Sequence, residues 1–223
     1  MTRRLLTAGA LVALAAVPLA AQRAVWWNAE ISGIGMRLNS QTGPSTQKLS
    51  GAAFGFQGQI VYLNRITIDL GYWQGKLNGV GTSDRDVVEG FAQIGARPLS
   101  WLSLRAGPHA WTYISDAGTQ RWFLWEGRAH AQGQVLPAVQ SYLEVWKVFS
   151  ANVNVPQAFQ TGMGGEGGLS LRIRDVPLIP QRLPVRIRLA YGIERVRMLG
   201  TQAQGSRAEV LDRLTLGLGV EAP

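Results

Sequence analysis

Cysteine is absent from this 223-residue chain, which excludes a disulfide framework and thiolate chemistry. If such a chain is exported, it must draw its stability from a large core or from a bilayer. Histidine is nearly absent as well: His109 and His130 stand apart in sequence, so no zinc site is expected, nor any other metal or cofactor. Charged residues make up 16% of the chain, where about a quarter is usual in soluble domains. No apolar run after Val17 approaches the ~18 residues a membrane helix requires. Any span of a bilayer must therefore be made of β-strands. The glycine-rich stretch Gly162–Gly168 lacks the Lys-Ser/Thr of a phosphate loop and opens a strand, not a helix. Small residues facing a crowded interior account for it.

What the chain does have begins at its N-terminus. Met1-Thr2-Arg3-Arg4 is a short basic region, Leu5 to Val17 is apolar, and Pro18-Leu19-Ala20-Ala21 supplies small residues before Gln22. This is the pattern of a secretory signal peptide. The expected organisation is a cleaved signal over residues 1–21 and one domain over 22–223. The formal net charge of +8 falls to +6 without Arg3 and Arg4.

Past the signal, the chain alternates. Val185, Ile187, Leu189, Tyr191 and Ile193 are apolar, and Arg186, Arg188, Ala190, Gly192 and Glu194 lie between them. Leu214, Leu216, Leu218 and Val220 repeat the pattern around Arg213, Thr215, Gly217 and Gly219. A strand sends successive side chains to opposite faces, so each segment is apolar on one side and polar or small on the other. About ten such segments are predicted: 24–38, 51–63, 65–77, 85–97, 101–113, 120–135, 138–150, 164–174, 184–198 and 208–221. The expected connections alternate between tight turns and longer loops, among them Asn39–Ser50, Ala151–Met163 and Leu199–Arg207. At a tilt near 40°, about ten residues of strand cross a ~25 Å apolar band, and these segments are long enough.

Eight tryptophans sit mostly near segment ends. The expectation is two interfacial girdles: Trp26, Trp27, Tyr62, Trp101 and Tyr142 on the periplasmic side, with Phe54, Phe56, Trp73, Trp111, Tyr113, Trp122, Phe123, Trp125 and Phe149 on the outer side. Signal, long alternating strands, alternating turns and loops, and the closing Leu214-Thr-Leu-Gly-Leu-Gly-Val220 together resemble the small bacterial outer-membrane β-barrel proteins. The resemblance implies an all-β fold, a closed antiparallel up-and-down transmembrane barrel of about ten strands. It also implies location in the bacterial outer membrane, contact with outer-membrane lipid and lipopolysaccharide, and assembly by the barrel assembly machinery. Such barrels usually end on an aromatic residue, and here the sequence reads Val220-Glu221-Ala222-Pro223.

Strand parity places Asp69, Glu89, Arg97, Arg105, His109, Glu126, Arg128, His130, Glu166, Arg172, Arg174, Arg186, Arg188, Glu194 and Arg213 on the inward face. Arginine outnumbers carboxylate in this set. Two readings stand: Arg–carboxylate pairs that plug a narrow barrel, or a basic path or cavity that favours anions. About ten strands are too few for a general porin. Glu144 and Lys147 fall on opposite faces of one segment, so neither of its faces is clean.

The leading reading is a structural or narrow-pore barrel with no catalytic residues. Two alternatives come from other classes. One is an outer-membrane barrel hydrolase acting on lipid or peptide, suggested by the acidic pair Asp84 and Asp86 beside an outer loop. The other is a soluble periplasmic barrel that binds an apolar ligand. The basic balance points to anionic headgroups near Arg195, Arg197 and Arg207, and not to nucleic acid.

Overall fold

The computed structural model describes residues 25–79, 81–116, 118–174, 183–202 and 204–222. The expected signal peptide over residues 1–21 lies outside the described residues. The described chain forms ten strands: β1 (Val25–Thr42), β2 (Ser45–Tyr62), β3 (Ile66–Gly79), β4 (Arg85–Leu99), β5 (Leu102–Ser115), β6 (Gly118–Leu136), β7 (Val139–Val153), β8 (Ala158–Ile173), β9 (Val185–Leu199) and β10 (Arg207–Ala222). Each pairs antiparallel with its sequence neighbours, and β1 pairs with β10, so the sheet closes. Closure removes the exposed edges that an open sheet would present.

The strands are longer than the alternation suggested. β3 has 14 residues and β6 has 19. At about 2.5 Å of height per residue, they extend past a ~25 Å apolar band at their ends. The loop expected over Asn39–Ser50 is in fact the ends of β1 and β2, joined by a two-residue turn at Gly43 and Pro44. Gly43 takes φ +54° there, and its N–H donates to the Ser206 carbonyl. The stretch expected as a loop over Ala151–Met163 is likewise mostly strand. Connections at the end opposite the termini are therefore short as well, and the expected contrast between the two ends is weaker than the sequence suggested. Polar residues on both faces conceal a strand once it leaves the apolar layer, because its ladder continues in water.

Two irregularities have local causes. β4 and β5 pair from Asp86 opposite Ile114 to Phe91 opposite His109, and pairing resumes at Ile94 opposite Ala106. Pro108, which has no N–H to donate, lies across that gap. The tight β2–β3 turn places both Leu63 (φ 50°) and Asn64 (φ 55°) in the left-handed region, with the Arg65 N–H donating to the Tyr62 carbonyl at 3.0 Å. Asparagine tolerates that region, but leucine is strained there. Leu63 is exposed, so Leu63→Asn gives up little packing. It should stabilise the barrel by roughly 0.5–1 kcal/mol, read as a higher midpoint for thermal loss of folded gel mobility.

Candidate functional site: the barrel lumen

The alternation decides what fills the barrel. Glu30, Asp69, Glu89, His109, Glu126, Arg188 and Glu194 are buried inside, while Ile31, Phe54, Ile94, Leu189, Leu214 and Leu216 lie exposed outside. Water would favour the reverse. A bilayer favours this one, because its hydrocarbon accepts the apolar outer surface while the ladder satisfies the backbone. The chain is a transmembrane β-barrel. Its architecture is that of the bacterial outer-membrane barrels.

No protein-family model and no curated protein sequence matches the chain. Among solved structures it is similar to Neisserial surface protein A, at 13% identity and a TM-score of 0.39 over 86% of this chain and 96% of that one. It is also similar to the translocator domain of the autotransporter NalP from Neisseria meningitidis, at 13% identity and a TM-score of 0.43 over 88% of each chain. A third is the outer membrane protein OprG from Pseudomonas aeruginosa, at 8% identity and a TM-score of 0.31 over 89% of this chain and 95% of that one.

The outward face makes a direct prediction. Leu216 lies mid-strand on β10 and is 61% exposed. Leu216→Arg should cost about 2–4 kcal/mol, and Ala208→Arg, near the strand end, roughly 0–1 kcal/mol. Comparing the urea midpoints of the two variants in lipid vesicles checks it.

Inside, the barrel has two storeys. The half where β1 begins and β10 ends is polar, and its side chains form two hydrogen-bonded clusters. Arg213 bridges Glu194 (3.4 Å) and Glu89 (2.6 Å), and Glu89 also meets His109 Nε2 at 2.8 Å. His109 Nδ1 faces Glu126 at 3.3 Å, so carboxylates flank both ring nitrogens, an arrangement an imidazolium satisfies with its two N–H groups. Arg128 then links Glu126 (2.6 Å) to Glu144 (2.7 Å). Arg105 continues from Glu144 to Asp69 (2.9 Å), which accepts from Gln59 at 2.7 Å. His130 adds to Glu144 at 3.1 Å. A second cluster joins Arg186 and Arg188 to Glu30, and Arg188 to Glu166 and the Tyr142 hydroxyl, which donates to Glu166 at 2.6 Å.

The inward residues expected from parity are together in the lumen except Arg174, and they differ in depth. Arg97 sits near the terminal end and donates to the Ser100 carbonyl. Arg172 lies at the mouth, half exposed, and pairs with Glu221; Arg174 is exposed. The expected arginine surplus narrows: Glu30 and Glu144 join the lumenal carboxylates, Glu209 and Glu221 pair with Arg207 and Arg172, and Arg85 bonds Gln47. Glu144 faces in and Lys147 faces out, which is plain alternation. The β6–β7 bulge begins only beyond them, between Trp125 and Glu126.

The storey towards the other end is mainly apolar, with Arg207, Glu209 and Ser40 buried beside it. Leu38, Leu77, Trp111, Trp122, Leu124 and Met198 form part of one buried cluster that fills the lumen. Trp73, Trp111, Tyr113 and Trp122 belong to this interior and not to a girdle, and Tyr142 also faces in. Tyr62, Phe54, Phe56, Phe123, Trp125 and Phe149 are exposed on the outside, whereas Trp26 and Trp101 stand at the mouth of the interior cavity. Arg207, expected at lipid headgroups, is buried and bonded to Glu209 at 2.5 Å. Trp146 and Tyr142 lie across the glycines of β8. A Cβ on Gly164 would stand 2.4 Å from the Trp146 ring, and one on Gly168 would stand 2.6 Å from the Tyr142 ring.

A cavity of about 370 Å3 runs among these polar side chains, with Asp69, Glu89, Arg128, Glu144, Arg188 and Arg213 in its wall. Trp26, Arg97, Trp101, Gln132, Gln140 and Arg172 stand around its mouth. Among the described residues no group of three or more metal-ligating side chains gathers. Of the acidic pair, Asp84 is exposed, and the Lys76 ammonium bonded to it at 2.9 Å holds its carboxyl below the usual range. Asp86 points outward from β4.

Proposed function

We propose that this protein is an outer-membrane barrel with a structural role, whose lumen is closed on the outer side. The observation that carries the reading is the apolar storey. Trp111 and Trp122 lie tilted against each other at 5.5 Å between ring centroids and pack with Leu38, Leu77, Leu124 and Met198 in one buried cluster, which supports a closed lumen. The charges beneath them are spent on one another, as expected of a lumen that is locked and not conducting. The first residues of β1, the last of β10 and the tight turns at 63–65 and 100–101 lie at the cavity's mouth, the periplasmic end in barrels of this kind. The chamber then faces the periplasm and the apolar storey faces outward.

Outward-pointing Arg37, Lys48, Arg121, Lys147, Arg195 and Arg197 lie on the half away from the mouth. These cations suit the phosphates of anionic lipid and lipopolysaccharide. Assembly by the barrel assembly machinery goes with that location. A catalytic role is not part of the reading, because His109 is buried between two carboxylates and His130 lines the chamber.

Conductance of the refolded protein in planar bilayers tests this. The expected result is a silent membrane. Steady unitary steps from the unmodified chain would show an open pore and contradict it.

A further inference from the structure

We propose that the wall of the chamber's mouth formed by β8 and β9 binds a phosphate group, free or carried by a small solute. The inference goes beyond the closed-barrel reading and rests on it only for the side from which the ligand arrives.

Arg172 and Arg186 are direct cross-strand partners on these neighbouring strands, and both line the cavity. Like charges directly opposite one another on one sheet face repel. Arg188 lies two residues further along the same face of β9, opposite Ser170, and both of these line the cavity too. Three guanidiniums therefore crowd one small patch of wall.

Their carboxylates do not cancel this at the cavity surface. Arg172 pairs with Glu221, yet the arginine side chain is 44% exposed and that of Glu221 5%. Arg186 pairs with Glu30 at 3.1 Å, with side-chain exposures of 19% and 0%. Glu30 lies flat against β10, where a Cβ on Gly217 would collide with its carboxylate. The sheet thus holds these acids in the wall and leaves the guanidiniums towards the opening. Arg97 stands across the mouth on β4, and among the described residues its guanidinium bonds only the Ser100 carbonyl. What a solute meets on entry is positive.

The pattern selects the ligand. A cation is repelled, and a neutral solute gains nothing from the charge. Each arginine already holds a singly charged carboxylate, whereas a phosphate brings about −1.5 to −2 charges and three acceptor oxygens. Planar N–H forks from two neighbouring strands match such a group. The Ser170 hydroxyl and the Gln140 amide, cross-strand partners in the same wall, add neutral donors. The cavity of about 370 Å3 leaves room for a small organic substituent on the phosphate.

The test is calorimetric titration of the full chain in a neutral, lipid-free detergent at fixed ionic strength. The titrants are inorganic phosphate, glycerol phosphate, acetate and spermidine. Folding is read separately from the difference between boiled and unboiled mobility on a gel. The expected result is saturable binding of the two phosphates, with none of acetate or spermidine at the same concentrations. Arg172→Gln removes the more exposed guanidinium and should weaken phosphate binding roughly tenfold while folded mobility is kept. Arg186→Gln should do the same; if it loses folded mobility, Arg172→Gln alone carries the test. Arg97→Gln, across the mouth, should weaken binding less than about threefold.

A chain with barrel mobility that binds no phosphate, or binds acetate or spermidine as tightly, overturns the site and leaves the barrel standing. So does unchanged phosphate affinity in Arg172→Gln, or a larger loss from Arg97→Gln than from Arg172→Gln. A chain with no mobility shift overturns the barrel reading and the site together.

Discussion

Glu126→Leu is expected to destabilise the barrel by roughly 3–5 kcal/mol, the scale of removing one partner from a buried charge network. Glu126 is wholly buried, and its carboxylate receives Arg128 at 2.6 Å, Gln93 at 2.8 Å and His109 at 3.3 Å. Arg128 is held in place, with its guanidinium 4.8 Å from the Trp146 ring centre and 5.5 Å from that of Phe91. Without Glu126 it keeps only Glu144, and His109 keeps only Glu89. Glu126→Gln preserves shape and part of the hydrogen bonding, so it should cost less, about 1–3 kcal/mol. Urea titration followed by folded gel mobility gives both values. A loss under about 1 kcal/mol for the leucine variant would mean that water already carries the network, and the locked lumen would be refuted.

Trp122→Ala is the second large effect, about 3–5 kcal/mol for an emptied core aromatic. Trp122 is almost wholly buried, tilted against Trp111, with the Arg207 guanidinium 5.7 Å from its ring centre. Truncating it removes the centre of the apolar storey. The variant should conduct in planar bilayers where the unmodified chain is silent. Trp122→Phe refills most of the volume and should cost less than about 1.5 kcal/mol and remain silent. If Trp122→Ala is as stable and as silent as the parent chain, the seal lies elsewhere.

The period of two was enough to read the fold and the polar lumen from sequence. On β9 and β10 the apolar and polar positions separate cleanly, and the lumenal charges follow from the same parity. For the aromatic residues, height along the strand and parity point to different places, and parity decides. Trp111 and Tyr113 share the parity of His109, and Trp122 shares that of Glu126, so the sequence already set them inward. Girdle and interior aromatics both gather towards strand ends when the core occupies only one half of the barrel, and position alone cannot separate them.

Glu144 was obscured for a related reason. Its inward neighbours are Tyr142 and Trp146, so that face of β7 looks apolar until the lumen is known to hold aromatics as well as charges. The turn at Gly43–Pro44 lay hidden in a polar stretch because strands beyond the hydrocarbon layer lose their apolar face and keep their ladder. Glu209 belongs to such a stretch, and Arg207 seemed an external cation until its partner across one inward position was seen.

The inside-out sheet is directly measurable because the chain lacks cysteine. Single cysteines at Leu189, Tyr191, Leu214 and Leu216, and at the alternate positions Ala190, Gly192 and Thr215, can carry spin labels in vesicles. The predicted result is alternation: the first four positions collide freely with oxygen dissolved in the bilayer and are shielded from a polar nickel complex, and the other three are shielded from bilayer oxygen. Equal accessibility at both sets, or the reverse alternation, would place the apolar faces inward and contradict the transmembrane barrel.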